Sequence, residues 1–244
     1  MTRALFISDL HLSGERPDAS EQFFSFLGNE ASRAQALYVL GDLFEYWAGD
    51  DELGDPAGDP LAAQVAQALR RLADAGVPVH VMHGNRDFLV GEQFLATSGA
   101  RFLEDPSVIR FADQPVALLH GDTLCTDDLE YQAFRLQVRN LNFQREFLAQ
   151  PLAERKKKIE IMRAKSEATK KIKPEATMDV TAAAVEAQLR NYGYPRLIHG
   201  HTHKPAMHQH IVDDRCCERW VLADWYASGS YLRCDAQGCR VVKL

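Results

Sequence analysis

Seven side chains, gathered in five short polar clusters, are of the types that hold a pair of divalent metal ions. They are Asp9 and His11 in ISDLH, Asp42 in LGD, Asn85 in HGNRD, His120 in LLHGD, and His201 with His203 in HGHTH. Imidazole, carboxylate and amide oxygen without thiolate make a mixed set that suits Mn, Fe or Zn better than Ca or a structural zinc knot. Mn is the first choice. Seven protein donors are too many for one catalytic ion that keeps an open position, whereas two ions sharing a bridging carboxylate use them all. Such ions lie about 3.5–4 Å apart and clamp an in-line displacement at phosphorus. Asp42 is the expected bridge.

The clusters share a placement that says which elements carry them. Each follows a run of apolar residues, at 4–7, 36–40, 77–82, 116–119 and 196–198, mostly bracketed by turn formers. These runs read as buried strands. In α/β sheets, ligands bind in the crevice beyond the carboxyl ends of the strands, where side chains distant in sequence converge. Gly41, Gly84, Gly121 and Gly200 let the backbone turn and approach a bound ion or phosphate closely. Glu45, Tyr46 and Trp47, just after the bridge, read equally as pocket wall or core. His83 and His199 read as buried groups at strand ends. Asp87 and Asp122 are placed to orient ligand imidazoles through hydrogen bonds.

The order DxH, GD, GN with an acid following, H and GHxH resembles the calcineurin-like metallophosphoesterases, and the match runs from Asp9 to His203. The resemblance implies an α/β/β/α sandwich of two facing sheets flanked by helices. It also implies two ions: one on Asp9, His11, Asp42 and His203, the other on Asp42, Asn85, His120 and His201. One position departs from the phosphoprotein phosphatases of that superfamily. They carry GNH, whose His protonates an alkoxide leaving group, whereas this chain has Arg86. Arginine gives up no proton at neutral pH. A leaving group that needs no proton, such as a phosphate released from a pyrophosphate, is therefore favoured, with Arg86 stabilising charge on the phosphoryl oxygens.

The flanking stretches LFISDLHL, LYVLGDLFEYWAGDD, HGNRDFLVG, HGDTLCTDD with YQAFR, MRAKS, MDV and LIHGHTHKP resemble one branch, the UDP-2,3-diacylglucosamine pyrophosphohydrolases of lipid A synthesis. That resemblance implies a Mn-dependent attack of activated hydroxide on the α-phosphorus of UDP-2,3-diacylglucosamine, giving UMP and 2,3-diacylglucosamine 1-phosphate. Asn85, Arg86, His120 and His201 would serve catalysis. Substrate contacts would fall on Asn85, Arg86, Asp128, Ser166, Thr169 or Lys170, Lys173 and His201. Lys170 stands where relatives place Asn or Thr. Asp128 also reads as a helix cap. Another phosphodiesterase or nuclease, or a metal-free scaffold, remain the alternatives.

A chain of 244 residues suits one domain, here with a helical insertion at 126–192 whose helices are expected at 128–149 and 152–168. No run approaches the roughly 18 apolar residues that span a bilayer, and MTRALFISD opens as a strand rather than a signal peptide. The expectation is a cytoplasmic protein peripherally associated with the inner membrane. Cys125, Cys216, Cys217, Cys234 and Cys239 are read as reduced thiols. From Glu154 to Lys173, nine Lys or Arg face three acids on a chain of formal net charge −6. With Phe143, Phe147, Leu148, Leu152, Ile159, Ile161 and Met162 threaded through and before it, this window predicts a lid with a greasy inner side and a basic rim. Such a lid fits a lipid-linked nucleotide sugar and an anionic membrane surface. Nucleic acid is not expected, because stacking aromatics are few in the basic stretch. The C-terminal 40 residues predict antiparallel strands completing the second sheet.

Overall fold

Strands buried on both faces need apolar residues at every position, and the chain supplies them. The computed structural model describes residues 3–111, 114–170, 173–226 and 229–244. The strands β1 (Ala4–Ile7), β2 (Ala36–Leu40), β3 (Val79–Met82) and β4 (Arg101–Leu103) run parallel in one sheet. The strands β5 (Ser107–Phe111), β6 (Gln114–Leu118), β7 (Arg196–His199), β8 (Ala206–Val212) and β9 (Arg215–Val221) make a second sheet, in which β6, β7 and β9 are parallel. The hairpin β10 (Ser230–Asp235) and β11 (Gly238–Lys243) joins the first sheet beside β1, giving the order β11-β10-β1-β2-β3-β4. The expectation that all C-terminal strands complete the second sheet is corrected here. Only β8 and β9 do so, because the loop after β9 crosses to the antiparallel edge of β1.

Alternate side chains along the strands feed different layers. Leu5, Ile7, Leu37, Val39, Val79 and Val81 face the helices α1 (Pro17–Asn29), α2 (Pro60–Asp74) and α3 (Glu92–Ser98). Ala4, Phe6, Leu40 and Met82 meet Val116, Leu118, Ile198 and Leu222 between the sheets. Ala117, Leu119 and Leu197 pack against Val185 and Leu189 of α7 (Ala182–Asn191) on the far side. The result is the expected α/β/β/α sandwich. α2 shows how local sequence serves it: Asp59 accepts a hydrogen bond from the Leu61 amide at 2.9 Å, Pro60 opens the helix, and Leu61, Val65, Leu69 and Leu72 form its buried stripe.

The insertion divides. Its segments α4 (Leu129–Val138), α5 (Leu141–Leu148) and α6 (Leu152–Lys170) lie over the strand ends, whereas α7 is a core helix of the second sheet. Within the expected insertion of 126–192, Val185 and Leu189 of α7 are fully buried against β6 and β7. The helix expected over 128–149 breaks at Asn140, whose side chain caps α5 by accepting from the amides of Asn142 and Phe143. Phe143, Phe147, Ile159 and Met162 pack down on the first-sheet core. Among the described residues no helix is long and apolar enough to cross a membrane.

Cysteines depart from expectation at one pair. Cys234 and Cys239 stand opposite each other in the β10–β11 register, with Cα atoms 4.1 Å apart, and are joined as a disulfide. A tight hairpin brings them together whatever their sequence spacing suggests. Cys125, Cys216 and Cys217 are free.

Candidate metal centre and active site

Five parallel strands end on one side of the two sheets, and the loop after each delivers polar groups to a common point. Asp9 and His11 follow β1, Asp42 follows β2, Asn85 and Arg86 follow β3, His120 follows β6, and His201 and His203 follow β7. Five of these residues hold left-handed backbone: φ is 56° at Asp9, 50° at His11, 52° at Asp42, 67° at His201 and 55° at His203. Such conformations are uncommon outside glycine and cluster at functional sites, where surrounding structure enforces them. Gly84 and Gly200 make the close approach possible, because a Cβ would collide with the Asp42 carboxylate at the first and the Asp9 carboxylate at the second.

The seven expected ligands are brought together. Asp9, His11 and His203 can present donor atoms to one point, and so can Asp9, Asp42 and His120. Asp42 turns its two oxygens in different directions, Oδ2 lying 3.8 Å from His11 Nε2 and Oδ1 3.9 Å from His120 Nε2. Asn85 Oδ1 sits 3.0 Å from His120 Nε2 and 2.8 Å from His201 Nδ1. The Nδ1 of His120 lies 2.9 Å from the Leu40 carbonyl, which fixes its proton there and leaves Nε2 as the donor facing Asp42 and Asn85. Asp9 falls in both of these groups of potential donors, and Asp42 lies between His11 and His120.

Electrostatics match a cation site. Burial alone would raise the Asp9 carboxyl, yet His203, whose Nε2 lies 3.4 Å from Oδ1, and the charges of His120 and His11 hold it well below the usual carboxylate range. Burial would lower His120, but Asp42, Asp122 and Asp9 push it up to about 9. His201 falls to about 3 through burial and the neighbouring His120. The buried Asp9 Oδ1 has no hydrogen-bond partner among the described residues. Concentrated buried anions with an unsatisfied oxygen are what a pair of divalent ions neutralises, so these residues fit such a pair.

Supporting contacts differ in part from expectation. Asp87 accepts from the amides of Leu43 at 2.7 Å and Gly84 at 2.8 Å, so it pins the backbone of two ligand loops rather than an imidazole. Asp122 accepts from Tyr131 at 2.7 Å and Arg135 at 2.8 Å, anchoring α4 to the loop after His120. Both are short acids whose nearest donors are not the histidines. The sequence also left Glu45 open between wall and core. It lies 3.3 Å from His11 Nδ1, accepts from Arg163 of α6 at 2.6 Å, and accepts from Tyr226 at 3.1 Å. Burial would raise Glu45, but His11, Arg86 and Arg163 bring it down to about 2.

Tyr226 and Asp224 were missed. Tyr226 stacks on His11 with centroids 5.0 Å apart, and Asp224 Oδ2 lies 3.4 Å from His203 Nδ1. The signal was a sixth cluster of the same kind: the β9 run ends in Val221 and Leu222 and is followed by Asp224, Trp225 and Tyr226.

Of the expected substrate contacts, Arg86 sits over the site with its amide donating to Asp42 Oδ1 at 2.8 Å, and its guanidinium lies 3.3 Å from Glu167 of α6. Asp128 serves both readings: it caps α4 through the Tyr131 amide at 3.0 Å and accepts from Lys173 at 2.6 Å. Ser166 is exposed on α6, and the Thr169 hydroxyl donates back to the Lys165 carbonyl at 3.0 Å. The Lys170 side chain lies outside the described residues. Beside His11 an open cavity of about 340 Å³ is lined by Arg16, Glu45, Arg163, Glu167 and Tyr226. The basic rim is smaller than the sequence suggests, because Arg155 is buried against Ala48 and Asp51, and Lys156 pairs with Glu52 at 3.2 Å.

Residues 2–205 match the profile of the calcineurin-like phosphoesterases, and the chain belongs to that family. Its similarity extends further along the chain. It is 54% identical to the UDP-2,3-diacylglucosamine hydrolase of Aromatoleum aromaticum, covering 96% of this chain and 94% of that protein. Proteins of the same name from Edwardsiella ictaluri and Xanthomonas axonopodis pv. citri are 47% and 49% identical. Each match covers 98% of this chain, and 91% and 98% of those proteins respectively.

Proposed function

We propose that this chain hydrolyses the pyrophosphate bond of UDP-2,3-diacylglucosamine, giving UMP and 2,3-diacylglucosamine 1-phosphate for lipid A synthesis, with two Mn ions on the seven donors. The observation that carries the reading is Arg86, where a phosphomonoesterase would need an acid, placed beside the gathered candidate metal donors. The relatives' name and their near full-length similarity support the substrate. Asp9, His11, Asp42 and His203 would hold one ion and Asp42, Asn85, His120 and His201 the other, with Asp42 shared between them. Bound there, the pair supplies Lewis-acid polarisation of the phosphoryl oxygens and activation of the attacking water.

The chain's own groups do the rest. Asn85 and His201 orient one phosphoryl group, and Arg86 spreads its guanidinium over the charge that develops on the oxygens. The leaving group departs as a phosphate monoester and needs no proton. Asp128 and Lys173, with Ser166 and Thr169 on α6, offer donors and acceptors to the sugar and the second phosphate. Phe143, Phe147, Ile159 and Met162 on the underside of α5 and α6 pack on the first-sheet core, and acyl chains would lie beside this apolar layer. Leu129 and Leu136, seven residues apart on α4, and Leu141 on α5 are about three-quarters exposed. Together with the exposed Lys157 and Lys165 they suit contact with an anionic bilayer at the cytoplasmic face of the inner membrane.

The deciding assay offers UDP-2,3-diacylglucosamine in detergent with Mn, beside cyclic AMP, a phosphopeptide and single-stranded DNA. Phosphate-anhydride cleavage of the first is expected to dominate. Faster turnover of any of the other three would overturn the substrate assignment.

A further inference from the structure

We infer that Glu45 is a positioning residue through which docking of α6 sets both His11 and Arg86, an inference that rests on the two-ion hydrolase reading above. The residue is 8% exposed, and its carboxylate divides its oxygens between two parts of the molecule. Oε2 lies 3.3 Å from His11 Nδ1 and accepts from the Tyr226 hydroxyl. Oε1 accepts from Arg163 of α6 at 2.6 Å and lies 3.8 Å from Arg86 Nη1.

The first oxygen bears on His11. The Nε2 of that imidazole faces His203 at 3.3 Å and Asp42 at 3.8 Å, which is the side an ion would occupy. A carboxylate 3.3 Å behind the other nitrogen, at ion-pair rather than hydrogen-bond geometry, favours the proton on Nδ1 and leaves Nε2 free to ligate. Tyr226, stacked on the His11 ring and bound to the same oxygen, holds this arrangement from the loop after β9.

The second oxygen bears on Arg86. Two guanidinium groups compete for one buried anion, and a guanidinium clamped to the protein's own carboxylate is less available to a phosphate. With α6 docked, Arg163 takes the short contact. Arg86 is left at ion-pair range from Glu45 and 3.3 Å from Glu167, whose side chain is 56% exposed and therefore screened by solvent. Removing Arg163 leaves Glu45 to draw Arg86 away from the phosphoryl position. The helix that covers the substrate thus also releases the cation that binds it.

The test uses the full chain as wild type, Glu45→Gln, Arg163→Gln and the double variant, with Mn calorimetry in the absence of substrate and steady-state turnover in its presence. Glu45→Gln is expected to weaken Mn binding about 10–100-fold. Arg163→Gln is expected to leave Mn affinity near that of wild type and to raise KM about tenfold, more than it lowers kcat. Arg163→Lys, which keeps the charge on Glu45, is expected to recover most of that KM loss. In the Glu45→Gln background the Arg163 effect on KM is expected to vanish, since no anion remains to divert Arg86. Should Glu45→Gln fail to fold, Glu45→Asp, which withdraws the carboxylate from His11, is read the same way. Unchanged Mn affinity in the Glu45 variant, or an Arg163 effect of equal size in both backgrounds, overturns the inference. If wild type leaves the lipid nucleotide intact, the proposed substrate fails, while the calorimetry still decides the role of Glu45.

Discussion

Asp42 carries the heaviest demand on any single side chain, since its two oxygens address different imidazoles across the site. Asp42→Ala is expected to abolish turnover and reduce Mn stoichiometry below two per chain, while far-UV circular dichroism and the unfolding midpoint change little. Metal analysis of the purified variant checks this. Asp105 makes a different prediction. Burial, with the nearby Asp122, pushes its carboxyl up to about 6 from 3.8, and neither of its oxygens has a hydrogen-bond partner among the described residues. A pKa raised on folding favours the native state below the unfolded value, near pH 4, and that contribution is lost as pH rises through about 6. Asp105→Asn should therefore flatten the pH dependence of stability between pH 4 and 7 by about 2–3 kcal/mol, measured by urea unfolding. An unchanged slope would refute the assignment. At this scale the seven donors were legible because their residue types and spacing recur after apolar runs. Glu45 and Tyr226 were not, because an acid or aromatic near a ligand means nothing until a second loop supplies its partner. Asp87 and Asp122 misled for the same reason: sequence proximity to a histidine does not aim a carboxylate at it.

Among the elements, α6 shows how charge in a sequence is spent inside a fold. Nine basic residues in one window suggested a rim turned to solvent or membrane, yet Arg155 is 2% exposed and donates to the Gln150 carbonyl at 2.9 Å as well as to Ala48 and Asp51. Its stem and its hydrogen bonds seat the helix on the loop at 48–52. Arg155→Ala leaves the Ala48 carbonyl without its partner and removes that seat. The expected cost is about 1–3 kcal/mol, with faster amide exchange confined to residues 152–169 and the strands unaffected. Uniform exchange across the chain would argue against a local anchor. Lys156→Ala is likewise expected to affect helix docking through Glu52 and Tyr46 rather than surface binding. The strands β1, β2, β3, β6 and β7 could be read to within two residues because both their faces are buried and the runs are continuous. The edge strands β4 and β5 could not, since Arg101, Phe102 and Val108 are exposed. The break at Asn140 is a capping event that helical periodicity on either side conceals.

For the molecule as a whole, α4 and α5 turn Leu129, Leu136 and Leu141 to solvent. If this face meets the bilayer, replacing Leu136 and Leu141 together by Asp should cut binding to vesicles containing anionic lipid at least about tenfold. Turnover of a short-chain, soluble substrate should stay near that of wild type. Equal vesicle binding would rule the face out. The architecture itself was legible, since strand runs ending in polar clusters define layers and the edge on which a site must form. The attachment of β10 and β11 to the first sheet was not, because an antiparallel hairpin reads the same beside either sheet. A last consequence follows from the left-handed backbone at Asp9, His11, Asp42, His201 and His203. Besides glycine, the amino acids that tolerate this conformation best are Asn, Asp and His, which are also those with a lone pair to offer. Drift at these five places is thus channelled: a branched aliphatic newcomer suffers twice, in conformation and in chemistry, while the mildest replacements still bring a donor. The chain's geometry conserves its own reactivity.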